Sequence, residues 1–147
     1  HMSSYFTDEP VWRERALAFS QKIMGLSEYL FQAGYKPRNQ VTAKLTFHEP
    51  CHLGRGQGIQ NQPRQLLKCT GNYVEMAGAN TCCGGAGSFH IDYPDIAKSI
   101  LDKKRMNIEN SGAEIVVSEC PTCLVQLNKA AEQSGGKFKV MHISQVI

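Results

Sequence analysis

The chain has 147 residues, 41% hydrophobic and 20% charged, with 16 basic and 13 acidic side chains and a net charge of +3. That length suits one domain able to bury roughly two thirds of its unfolded surface, and so modest and scattered a charge argues against a nucleic-acid partner. No apolar run approaches the roughly 20 residues of a membrane span and no secretory signal opens the chain, so the expectation is a cytoplasmic protein, any membrane association coming through partner subunits.

His1-Met2 reads as the remnant of a removed tag, and residues 1–4 are expected to be a disordered start to a single domain over 5–147. Apolar residues at Trp12, Ala16, Phe19, Ile23, Leu26 and Leu30 recur at helical spacing, which predicts a long N-terminal helix over about 8–33, closed by Gly34. Its stripe is read as core packing, with a partner-subunit face as the alternative where it overhangs the domain. The cysteine-bearing core follows over about 41–147. Residues 41–47 predict a strand that stops at Pro50, immediately before Cys51. Glycines at 54, 56 and 58 suggest a loop. Pro63, Leu66 and Leu67 suggest a short helix ended by Gly71, with Cys69 expected to be a small buried hydrophobe on it.

Residues 73–76 are expected to be a second strand, and the stretch ANTCCGGAGSFH a loop. Tyr93-Pro94-Asp95 starts a helix whose apolar face is Ile96, Ala97, Ile100, Leu101 and Ile108, with Gly112 as its stop. Ile115-Val116-Val117 is a strand that runs into Cys120-Pro121-Thr122-Cys123. A last helix carries Leu124, Leu127 and Ala131, and residues 138–143 alternate as a final strand. Strands alternating with helices give an α/β fold: a small, mostly parallel sheet of about four strands flanked by helices. Parallel pairing puts the cysteine loops after the first three strands on one C-terminal edge, so five of the six cysteines converge where such sheets hold ligands.

Three chemistries compete for those five. Packing alone suits loop cysteines beside glycines poorly, and a reducing compartment disfavours disulfides, although Cys120 with Cys123 could oxidise in air. Metal binding fits best, because Cys-x-x-Cys directs two thiolates at one point and thiolates select zinc or iron–sulfur clusters. The adjacent Cys82 and Cys83 favour the cluster. One tetrahedral zinc takes four ligands, whereas a polynuclear centre lets neighbouring thiolates serve different irons. Gly84 and Gly85 would let backbone N–H groups approach the cluster sulfurs.

One cysteine, a gap of thirty, Cys-Cys-Gly, a gap of thirty-six and Cys-x-x-Cys resembles the CCG or cysteine-rich domain found in the B component of heterodisulfide reductase and in glycolate and lactate oxidase iron–sulfur subunits. The wording HEPCHLGRGQG, QPRQLL, CCGGAGSF and SGAEIVVSECPTC looks most like the C-terminal domain of the glycolate oxidase subunit. Retention of both cysteines of the last pair is similar to the reductase type. The resemblance covers roughly residues 41–147. It implies an α/β domain, one of two similar halves in a full subunit, and a noncubane [4Fe–4S] cluster on Cys51, Cys82, Cys83, Cys120 and Cys123, with zinc on four of them as the alternative. The zinc form would be a structural or interaction module of a multi-subunit dehydrogenase. No ferredoxin-type C-x2-C-x2-C-x3-C-P run is present in the sequence, so electrons are expected from a ferredoxin-type domain or flavin subunit. Work in air is expected to leave the site empty or oxidised.

Weaker candidates surround the cysteines. His52 could hydrogen-bond a cluster sulfur or protonate a product, against a solvated or structural role. Arg55 could offset cluster charge or hold a carboxylate, against being a surface cation. Glu119 could orient a donor, against being an exposed acid at a strand end. His48 and His90 are fainter still.

Overall fold

The computed structural model describes residues 2–38 and 40–147. His1, half of the expected tag remnant, lies outside the described residues. A 3-10 turn at Met2–Tyr5 precedes helices α1 (Pro10–Ser20) and α2 (Leu26–Gln32). Strand β1 (Val41–Phe47) leads to α3 (Cys51–Gln57), α4 (Asn61–Thr70) and β2 (Gly71–Tyr73). After these come α5 (Phe89–Asp92), α6 (Pro94–Ser111), β3 (Ile115–Ser118), α7 (Pro121–Gln133) and β4 (Lys139–His142), with a closing 3-10 turn at Ile143–Gln145.

The four strands form one parallel sheet in the order β2-β1-β3-β4. Leu45, Thr46 and Phe47 pair with Ile115, Val116 and Val117, which in turn pair with Lys139, Val140 and Met141. Because side chains alternate along a strand, Val116 and Val117 serve opposite faces. Val116 packs with Leu101 and Ile108 of α6 and Leu127, Ala130 and Ala131 of α7. Val117 joins Leu45 and Phe47 against Leu53 and Leu67 from α3 and α4. Right-handed crossovers require this division. The chain steps outward from β1 to β2 over one face, then returns past β1 to β3 and β4 over the other. The direction of winding therefore reverses between β1 and β3, and the crevice at their carboxyl ends is the switch point of the sheet.

Four expectations are corrected. The N-terminal helix is two helices. Ser20 Oγ bonds back to Ala16 O at 2.8 Å, which favours a bend, and Gly25 starts α2 with its N–H on the Glu28 carboxylate at 3.2 Å. The stripe is not core: Ala16 is the buried residue of α1, while Trp12 is 49% and Phe19 52% exposed. Trp12 instead stacks on Phe6 and lies under Arg15. The glycine-rich segment after Cys51 is helical, and Gly54 is needed there because a Cβ would overlap the Glu49 carboxylate. Strand β2 also begins and ends earlier than expected, at Gly71–Tyr73.

Candidate metal centre

The β1 strand ends in Phe47-His48-Glu49-Pro50, and its last residues are held by the neighbouring strand. His48 N–H donates to Val117 O at 2.8 Å, and Ser118 Oγ donates to His48 O at 3.1 Å. Pro50, extended at φ −64° and ψ 136°, turns the chain into α3 so that Cys51 occupies its first position. After β3, Cys120 caps α7, Pro121 is the first helical residue and Cys123 lies in the first turn. The Cys-x-x-Cys stretch is thus a helix start.

The Cys82-Cys83 loop is pinned from several sides. Gly84 has φ +85°, and a Cβ there would come within 2.7 Å of Ala97 O at the start of α6. Gly84 N–H donates to Cys82 Sγ at 3.2 Å, Gln126 Nε2 to Gly84 O at 3.4 Å, and His90 Nδ1 lies 3.2 Å from Gly85 O. Cys82 is consequently exposed and Cys83 buried. Two adjacent thiols thus face opposite environments, one solvent and the other the interior.

In the interior, ligand atoms of His48, Cys83 and Cys123 lie within 4.8 Å of one another, and among the described residues they form the one such group of three. The residues are 1%, 2% and 7% exposed. His48 Nδ1 is buried with no hydrogen-bond partner. A hydrogen bond from Cys123 holds the Cys83 thiol well below its usual range against the cost of burial, with His48 and the Gly85 backbone adding to the effect. The same bond, with burial and the neighbouring Cys120, pushes Cys123 up. Their mutual contact thus pushes the two neighbouring thiols in opposite directions.

Lys104 lies beneath this group. It is 1% exposed, and its Nζ donates to Gly78 O at 2.6 Å and Ala79 O at 3.4 Å. Burial lowers its pKa to about 8, while Cys83, Cys82 and Cys123 pull the other way. A second charged system ties α4 to the segments that follow β1 and β2. Arg64 donates to Glu49 at 2.7 Å, to Glu75 at 2.8 and 2.9 Å, and to Gln60 O at 2.6 Å.

Of the residues singled out from the sequence, Cys83 and Cys123 are in the buried group and Cys120 neighbours it, whereas Cys51 and Cys82 stand exposed on the same edge. Arg55 is exposed and donates to Asn80 O at 3.3 Å. His52 is exposed and lines a 230 Å³ groove with Glu119, His142 and Ile23. Glu119 is half-buried, not an exposed strand-end acid: one oxygen accepts from Ser27 N–H at 3.4 Å and the other is buried without a partner. Cys69 is exposed on α4, because Leu66, Leu67 and Thr70 take the buried side of that helix. Sequence reasoning undervalues His48 and misses Lys104. The latter leaves a trace in the sequence, since it fills the α6 face position between Leu101 and Ile108 where an apolar residue belongs.

The CCG cysteine-rich domain profile matches residues 45–128. Lactate utilization protein A of an Exiguobacterium species is 34% identical over 97% of this chain and 60% of its own length. The probable glycolate oxidase iron-sulfur subunit of Bacillus subtilis is 31% identical over 95% of this chain and 33% of its own. The B component of the CoM/CoB fumarate reductase of Methanothermobacter marburgensis, also named as a subunit, is 36% identical over 73% of this chain and 22% of its own. The chain thus spans between about a fifth and three fifths of the length of these relatives.

Proposed function

This chain belongs to the CCG cysteine-rich domain family, and from that premise we propose that it is the redox domain of an iron–sulfur oxidoreductase, holding a [4Fe–4S] cluster on Cys51, Cys82, Cys83, Cys120 and Cys123. The observation that carries the reading is the buried His48, Cys83 and Cys123 group at the switch point of the sheet. An orphaned imidazole nitrogen and two paired thiols are a soft donor set shielded from water, which fits such a centre and suits hard cations poorly.

When bound, the cluster supplies one-electron transfer. The protein's own residues do the rest. Cys83 and Cys123 would hold the group from the buried part of the site, and the Lys104 ammonium would offset negative charge gathered by the thiolates. The positive φ of Gly84 turns the loop so that its N–H donates to Cys82 Sγ, a placement that would also let backbone N–H groups serve cluster sulfurs. Cys51 and Cys82 are exposed and would complete the ligand set from the solvent side, where an electron partner could approach. Two of the relatives are named as subunits, so we assign that partner to a ferredoxin-type domain or a flavin subunit. No helix is long and apolar enough to cross a membrane among the described residues.

Anaerobic loading of the metal-free chain with iron and sulfide tests the proposal. The expected product carries about four irons and four acid-labile sulfides per chain. Stoichiometric zinc with no iron uptake would overturn it.

A further inference from the structure

Five cysteines do not exhaust the donors at this site. We infer that His48 is itself a metal ligand, and that His48, Cys83 and Cys123 form a mixed nitrogen–sulfur set able to hold one borderline-soft transition-metal ion alone. The inference rests on the reading above only for the place of the site. It stands on geometry. The three donor atoms already lie within 4.8 Å of one another, close to the roughly 3.5–3.8 Å edge of a tetrahedron with bonds of 2.0–2.3 Å.

Burial supplies the second argument. A nitrogen such as His48 Nδ1, enclosed with no partner, costs on the order of 1–3 kcal/mol. Buried polar atoms in native structures are nearly always paired, and beside two thiols a metal ion is a partner that imidazole can take. His48 also has little freedom to find another partner, since its N–H and C=O are both tied to β3, at Val117 O and Ser118 Oγ. A fixed imidazole facing two thiols is how mixed Cys/His sites are built. His52, by contrast, is exposed on α3 and lines a different groove.

Cobalt(II), added without oxygen to the reduced, metal-free full chain, is the probe. One cobalt per chain should bind with thiolate-to-cobalt charge-transfer absorption and the intense visible bands of a four-coordinate ion. His48→Ala should weaken that binding at least about tenfold, while Cys69→Ser, away from the site, should leave it unchanged. The wild-type cobalt protein should also show a hyperfine-shifted, exchangeable imidazole N–H proton resonance, which requires no variant to fold. Absence of that resonance, or a folded His48→Ala variant binding cobalt within about twofold of wild type, would overturn the inference. Iron and sulfide uptake is read separately, so a cobalt–histidine signal without cluster assembly defeats the cluster alone, and a cluster without the histidine signal defeats His48 alone.

Discussion

Replacing Lys104 with methionine removes the one ammonium group beneath the thiols while keeping an unbranched chain of similar length. The carbonyls it leaves stay bonded: Gly78 O still accepts from Thr81 N–H at 3.0 Å and Thr81 Oγ1 at 2.7 Å, and Ala79 O from Glu49 N–H at 3.1 Å. The informative quantity is the pH dependence. Burial takes Lys104 from its ordinary 10.5 to about 8, and at about 1.36 kcal/mol per pKa unit that fall corresponds to about 3 kcal/mol. Between these values the unfolded chain binds the proton and the folded chain does not, so wild-type stability rises with pH across the window and the penalty is complete below it. The variant lacks this response. Denaturant unfolding of reduced, metal-free protein at pH 7 and pH 11 should therefore show the stability difference, wild type minus variant, becoming about 3 kcal/mol more favourable to wild type at the higher pH. A difference constant to about 0.5 kcal/mol would refute the buried ammonium.

Gly84→Ala should destabilise by about 2–4 kcal/mol, from a positive φ and a Cβ driven against Ala97 O, whereas Gly87→Ala, with open space around it, should cost only about 1–2 kcal/mol by the same unfolding assay. Arg64→Met strips the buried Glu49 of its cation and should cost about 3 kcal/mol. Phe19→Lys with Ile23→Lys should leave the unfolding free energy within about 0.5 kcal/mol of wild type, since both side chains already face water. In reduced, metal-free protein a thiol reagent should modify Cys51, Cys69 and Cys82 quickly and Cys83 and Cys123 only as the fold opens, a pattern read by mass mapping.

The cysteines were legible because spacing and strand order act together. Each of the three cysteine segments follows a strand, and parallel winding leaves one edge for them all. His48 was not legible, because a lone histidine at a strand end has no spacing signal and its weight comes from burial beside two thiols. Lys104 was hidden similarly by its charge, which reads as surface until the α6 face is closed over it. Helix α3 was obscured by its glycines, one of which is required by the Glu49 carboxylate and not by a turn. Periodicity located the apolar stripe of α1 but could not say what covers it, and among the described residues most of that stripe stays exposed. In each of these four places a tertiary neighbour decides what local sequence leaves open.

Diffraction at the iron absorption edge, from crystals of the anaerobically loaded full chain, tests the central claim most directly. Anomalous density should appear at the carboxyl ends of β1 and β3, within bonding distance of Cys83 Sγ and Cys123 Sγ. Iron density elsewhere on the molecule, or a zinc-edge signal in its place, would contradict it.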